Sequence, residues 1–182
     1  LMVENLPNLL TITRILLLPF FAVNLIYGEY HYALLVFAAA AISDILDGQI
    51  ARITKQTTYF GSILDPVADK FFLITSFILM SYIGLIPKWF TIVVISKDLI
   101  VIAGCFILYF ATDTLKVEPS IIGKISSGSQ FVLVGLMLVS LNMVDGFIVP
   151  QMLYIAIAIL TAIAGIDYVY KGMKQGTEHT PS

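Results

Sequence analysis

A chain of 182 residues with 59% hydrophobic and only 12% charged side chains holds more apolar surface than a water-soluble core needs, since soluble domains average about 45–50% apolar. The formal net charge of −2 gives no basic footprint for nucleic acid, and a single cysteine, Cys105, excludes an intrachain disulfide framework. What remains is an all-α integral membrane protein of about six transmembrane helices.

Residues 1–8 are short and amphipathic, with Glu4, Asn5 and Asn8 around Leu6 and Pro7, and suit an interfacial lead-in. The next stretch has neither a basic region before it nor a small-residue cleavage site. It is expected to belong to the mature fold and not to a removed signal. A first span is predicted over 9–27, close to the roughly 20 apolar residues that a crossing needs. Pro19 should bend it, which membrane helices tolerate. Arg14 either snorkels to the interface or faces an internal polar site. After a turn at 28–31, a second span is predicted over 32–53, and its alanines at 38–41 permit close helix packing. A polar connection at 54–60 leads to a third span over 61–83. The turn at 84–88 and Trp89, an interface marker, precede a fourth span over 90–110, with Lys97 and Asp98 near its middle. A polar loop at 112–120 leads to a fifth span over 121–141, whose first third holds Lys124, Ser126, Ser127, Ser129 and Gln130. A loop with Asp145, Gly146 and Pro150 precedes the sixth span, over 151–170. The polar tail, 171–182, is expected to be disordered. Residues 1–182 read as one domain without linker, low-complexity segment or internal repeat. Cys105 reads as a small buried hydrophobe, and His31 and His179 as solvated.

With both termini on the cytoplasmic side, Arg14, Arg52, Lys55, Lys116, Lys124, Lys171 and Lys174 lie on or near the inner face, and Lys88 alone lies clearly outside. That is the bias of the positive-inside rule. This multi-pass arrangement, expected in a bacterial inner or cell membrane, turns the polar stretch at 44–69 towards the cytoplasm.

That stretch reads D-I-L-D-G-Q-I-A-R, eight residues, then G-S-I-L-D-P-V-A-D. It sets four carboxylates (Asp44, Asp47, Asp65, Asp69) and the guanidinium of Arg52 into a very apolar chain. The acids lie three apart and then four apart, and on helices either spacing puts a pair on one face. Two such pairs on consecutive helices with a short connection can converge. A charge at membrane depth costs roughly 2.5–3.5 kcal/mol or more, and four like charges repel as well. Divalent metal held by oxygen, Mg²⁺ or Mn²⁺, is the simplest remedy. Two such ions roughly 3.5–4 Å apart would clamp a diphosphate. Gly48 and Ala51 keep the face beside Asp47 small. Arg52 suits bidentate pairing with phosphate, and Gly61 lets backbone approach a ligand. A structural role leaves these spacings unexplained. An ion-coupled membrane transporter is the rival from another class, but these residues cluster towards one leaflet and trace no route through the bilayer.

The pattern D-x2-D-G-x2-A-R-x8-G-x3-D-x3-D resembles the signature of the CDP-alcohol phosphatidyltransferase family. Asp44, Asp47, Gly48, Ala51, Arg52, Gly61, Asp65 and Asp69 match every fixed position. The six-span layout fits too, so the resemblance covers nearly the whole chain. It implies an integral membrane enzyme of phospholipid biosynthesis, commonly a homodimer. Such enzymes transfer the phosphatidyl group of CDP-diacylglycerol to an alcohol and release CMP. It also implies that Asp44, Asp47 and Asp65 hold two divalent ions. Asp69 would help bind the second ion and act as general base, and Gly48, Ala51, Arg52 and Gly61 would line the CDP site.

Two subgroups share more of the chain. N-L-P-N-L-L-T-I-T-R and G-S-I-L-D-P-V-A-D-K are similar to phosphatidylglycerophosphate synthases, whose acceptor is glycerol 3-phosphate. They are also similar to eukaryotic-type cardiolipin synthases, whose acceptor is phosphatidylglycerol. Either acceptor carries phosphate, so a second basic site is implied, with Lys97 and Lys124 as candidates and Lys70 behind them. Ser96, Lys97 and Asp98 stand where the first subgroup tends to read A-R-E, and residues 119–130 resemble the second. Glycerol 3-phosphate is the expected acceptor and phosphatidylglycerol the alternative. The bland reading of Lys97 and Asp98 is an ion pair that only holds helices together.

Overall fold

The computed structural model describes the backbone of residues 6–54, 59–112, 121–144 and 146–178, and the side chains of 12–43, 70–104, 121–144 and 146–171. Among the described residues it is all helical, with six helices: α1 (Leu6–Ile26), α2 (Tyr30–Thr54), α3 (Tyr59–Tyr82), α4 (Lys88–Thr112), α5 (Ile121–Asn142) and α6 (Gln151–Glu178). Each predicted span falls on one of them. Two ends differ. α1 begins at Leu6 and so takes in part of the expected lead-in, with Pro7 in its first turn, where the missing N–H costs nothing. α6 runs on to Glu178 through the residues expected to be a disordered tail. Lys171 reaches back one turn to Asp167 Oδ2 at 2.9 Å, and Lys171, Met173, Lys174 and Gln175 are good helix formers.

The helix ends follow from local chemistry. Glu29 N–H donates to Asn24 O (2.9 Å) and Gly28 N–H to Leu25 O (3.3 Å); at the end of α3, Leu85 N–H donates to Met80 O (2.8 Å) and Gly84 N–H to Ser81 O (3.2 Å). Gly28 and Gly84 take φ of 76° and 83°, the left-handed conformation that this cap demands and a Cβ opposes. Pro87 and Pro150 precede α4 and α6, and their carbonyls accept from Phe90 N–H (3.1 Å) and Leu153 N–H (2.9 Å). Within the helices, polar side chains turn back on their own backbone: Asn24 Nδ2 donates to Phe20 O at 2.8 Å, Ser43 Oγ to Ala39 O at 2.8 Å and Ser76 Oγ to Phe72 O at 2.7 Å. A polar group without water needs such a partner.

The helices sort into two compact units. One comprises Leu1–Leu85 and Val134–Ile148, the other Ile86–Leu133 and Val149–Ser182. In the first, α1 packs on α2 and α3. Its centre is a cluster of buried rings: Phe21 lies 5.1 Å from Phe72 and 6.3 Å from Phe37, and Phe37 lies 6.1 Å from Phe72. The second half of α5 completes this unit. Asn142 Nδ2 donates to Tyr30 O at 3.0 Å. Seven residues back along α5 and seven forward along α2, a Cβ on Gly135 would stand 3.3 Å from Phe37 Cε1. α2 and this half of α5 are therefore antiparallel, and Gly135 is what admits the Phe37 ring.

In the second unit α4 packs on α6. The Phe90 ring meets Tyr154 edge-on at 5.5 Å. Seven residues on, Lys97 Cγ lies 3.2 Å from where a Cβ of Gly165 would be, and seven further, the same point on Gly104 lies 3.2 Å from Tyr168 Cε1. Contacts that advance together along both chains make α4 and α6 parallel.

Among the described residues, two helices are long and apolar enough to cross a membrane, Ile121–Asn142 and Gln151–Lys171; shorter apolar stretches cover Ile12–Ile26, Tyr30–Ser43 and Lys70–Tyr82. Large apolar side chains on every helix point outwards, among them Leu16, Phe20, Ile42, Phe71, Ile92, Val132 and Ile166. A surface of this kind belongs in hydrocarbon.

Candidate active site

The helix boundaries put the acidic motif at the end of α2 and the start of α3. Asp44, Asp47, Gly48, Ala51 and Arg52 occupy the last turns of α2, and Gly61, Asp65 and Asp69 the first turns of α3. Since both segments are helical, the spacings of three and four residues place each pair of positions on one helix face. α2 and α3 meet lower down, where the Phe37 and Phe72 rings lie 6.1 Å apart. The side chains of Asp44, Asp47, Gly48, Ala51, Arg52, Gly61, Asp65 and Asp69 lie outside the described residues, as do those of Cys105 and His179. Among the described residues no group of three His, Cys, Asp or Glu could hold a metal ion. A set of four carboxylates is hard oxygen chemistry and fits Mg²⁺ or Mn²⁺ better than softer metals.

The other nominated cations are described. Lys97 sits in the middle of α4 and is only 7% exposed, with its Nζ 2.7 Å from Oδ1 of Asp98, itself 2% exposed. The two residues are adjacent on one helix, so this contact does not tie two helices together. The stem of Lys97 lies along α6 at Gly165. Lys124, in the first turn of α5, is exposed. Lys70 is half-buried and His31 exposed. Arg14 is 3% exposed, which decides between its two expected fates: it is inside and does not snorkel.

Lys97 also borders a cavity of about 620 Å³ between α4 and α6, with Ser96, Ile92, Ile100, Gly165 and Ile166 among its lining residues. Its walls are mostly aliphatic.

One polar cluster was not legible as such in the sequence. Gln130 Nε2 lies 3.0 Å from Thr161 Oγ1 and 3.4 Å from Ser126 Oγ, and the two hydroxyls are 3.2 Å apart. Ser126 and Thr161 are fully buried and Gln130 is 1% exposed; its Oε1 is buried without a hydrogen-bond partner. Ser126 and Gln130 stand out as polar residues in an apolar span, whereas Thr161 is a single hydroxyl in a run of alanines and isoleucines.

Together these features define a helical membrane protein with a dense acidic motif at the α2–α3 junction and buried polar groups on α4–α6. Residues 4–164 match the model of the CDP-alcohol phosphatidyltransferase family. The chain is 34% identical to rat (Rattus norvegicus) cardiolipin synthase (CMP-forming), over 93% of this chain and 62% of that enzyme. It is 34% identical to the CDP-diacylglycerol–glycerol-3-phosphate 3-phosphatidyltransferase of Haemophilus influenzae, over 91% of each chain. With the Aquifex aeolicus enzyme of the same name the identity is 32%, over 93% of this chain and 97% of that one. The chain belongs to the CDP-alcohol phosphatidyltransferase family and is an enzyme of that family.

Proposed function

We propose that this protein transfers the phosphatidyl group of CDP-diacylglycerol to glycerol 3-phosphate and releases CMP. The observation that carries this reading is the complete motif from Asp44 to Asp69 on two consecutive helix ends. The alignments with the Aquifex and Haemophilus enzymes, over nearly the whole of each chain, support the acceptor.

Asp44, Asp47, Asp65 and Asp69 are the residues that would hold two divalent ions. Bound there, such ions would supply positive charge to neutralise the diphosphate and polarise the phosphorus that carries the diacylglycerol. Arg52 pairs with diphosphate oxygens, and Gly48, Ala51 and Gly61 leave room for the cytidine diphosphate. Asp69 accepts the proton of the acceptor hydroxyl as its oxygen attacks that phosphorus. The new P–O bond forms, the bond to the CMP phosphate oxygen breaks, and CMP leaves with the electron pair. Lys97 and Lys124 supply positive charge for the acceptor's own phosphate. The six helices cross the membrane with both termini and the acidic motif towards the cytoplasm, and two copies form the working enzyme.

Phosphatidylglycerol is the second acceptor to weigh, because the rat cardiolipin synthase is as similar as the bacterial enzymes and Lys97-Asp98 departs from the pattern of the glycerol 3-phosphate subgroup. The test is CMP release by the purified protein with CDP-diacylglycerol and Mg²⁺ or Mn²⁺. Turnover with glycerol 3-phosphate is expected. Turnover with phosphatidylglycerol alone would reassign the acceptor, and none with either would overturn the reading. The transporter reading has no support from the family.

A further inference from the structure

We infer that Thr161 and Gly165, on neighbouring turns of α6, are positioning residues that fix how the two acceptor-side lysines are presented; this rests on the function proposed above. The two residues are four apart and so lie on one face of α6. Thr161 receives α5: its Oγ1 bonds with Gln130 Nε2 at 3.0 Å and with Ser126 Oγ at 3.2 Å. Gly165 receives α4: a Cβ there would stand 3.2 Å from Lys97 Cγ and 3.9 Å from its Cβ. One turn of α6 thus seats both helices that carry the candidate cations.

The Thr161 contact sets the rotation of α5 about its axis. Ser126 and Gln130 are four apart and share the face that meets α6. Lys124 precedes Ser126 by two residues, about 200° around a helix with 3.6 residues per turn. Holding Ser126 and Gln130 on Thr161 therefore directs Lys124 away from α6, where it is exposed. An apolar contact would not fix this angle, because hydrocarbon outside the helix is as good a neighbour as the next helix. A hydrogen-bonded trio does fix it, since any other rotation strands two hydroxyls and an amide in an apolar interior. On the other side, the absent Cβ at Gly165 lets the stem of Lys97 lie flat along α6, with its ammonium held 2.7 Å from Asp98 Oδ1. A methyl group there forces the stem to shift by a few tenths of an ångström and carries the ammonium with it.

The test is steady-state kinetics of CMP release with purified, monodisperse protein, varying each substrate in turn, for wild type, Thr161→Val, Thr161→Ser and Gly165→Ala. Thr161→Val keeps the shape and removes the hydroxyl. It is expected to raise KM for the phosphate-bearing acceptor about three- to tenfold, the span of one interhelical hydrogen bond, with kcat and KM for CDP-diacylglycerol within about twofold of wild type. Thr161→Ser restores the hydroxyl and should return the acceptor KM. Gly165→Ala should raise the acceptor KM without touching the hydrogen-bonded trio. An unchanged acceptor KM in Thr161→Val or Gly165→Ala, KM rising equally for both substrates, or no recovery in Thr161→Ser would overturn the positioning role while leaving the activity in place. A wild type inert towards both acceptors would overturn the activity, and this role with it.

Discussion

The unit built on α1, α2 and α3 and the unit built on α4 and α6 are held together by different chemistry. In the first, three phenylalanine rings meet within 5.1–6.3 Å, while Asn24, Ser43 and Ser76 bond to their own helices and Asn142 reaches from α5 to Tyr30 O on α2. In the second, hydroxyls and an amide join α5 to α6, and a lysine stem and the Phe90–Tyr154 ring contact join α4 to α6. Inside a membrane the two devices do different work. Ring packing and close approach give rigid, shape-determined contact without exposing polar atoms to hydrocarbon. Hydrogen bonds between helices add modest energy but choose one rotation among many. The helices that carry the acidic motif are thus packed mainly by shape. α5, which carries Lys124, is held in rotation by its hydrogen bonds to Thr161, which suits the role proposed for that lysine.

The comparison predicts that damage to the first unit removes chemistry with every acceptor, whereas damage to the second acts on acceptor binding. Asp69→Asn on α3 should lower kcat for CMP release by about 10²- to 10⁴-fold, the usual span for a lost general base, and a chelator should stop turnover until Mg²⁺ or Mn²⁺ is restored. Equal residual turnover in the variant and the wild type would break the assignment. Phe72→Ala empties the ring cluster and should cost about 3–5 kcal/mol of stability, read as a lower melting temperature in detergent with activity lost towards both acceptors alike.

Lys97→Met leaves the buried Asp98 carboxylate without that cation and should cost roughly 3–5 kcal/mol, the range for a broken buried pair. Pairing it with Asp98→Leu should restore the melting temperature but not the acceptor KM. Recovery of both would make the pair structural only. Gly84→Ala strains a left-handed cap and should cost about 1–2 kcal/mol, with kinetics unchanged. Lys171→Ala removes an exposed one-turn ion pair at the end of α6 and should move stability by less than about 0.5 kcal/mol. A larger loss would show that the last turns of α6 bear on the second unit.

Much of the fold was legible because hydrocarbon imposes a single rule. Long apolar runs punctuated by Gly28-Glu29 and by Gly84 to Pro87 must be helices with turns between them, and they are. The motif was legible because charge is expensive in such a chain, so four aspartates at helical spacings demand a reason. Arg14 was open to two fates, since a long side chain near a helix start can reach either water or an interior; burial against its neighbours settled which. Thr161 carried no signal. A hydroxyl in an apolar helix can bond its own backbone, as Ser76 does, and only the approach of α5 makes it an anchor. The division into two units, which cuts α5 between Leu133 and Val134, follows no change in composition.

The amino-acid order by itself determined the membrane class, the six helices and the family, because each depends on local hydrophobicity and on a spaced set of charges that nothing else explains. Tertiary structure alone decided that Lys97 lies buried beside Asp98 with its stem on Gly165, that Arg14 is inside, and that Ser126, Gln130 and Thr161 meet. Those outcomes depend on which faces of distant helices come together, and helix rotation in an apolar medium is set by pairs of side chains far apart in the chain.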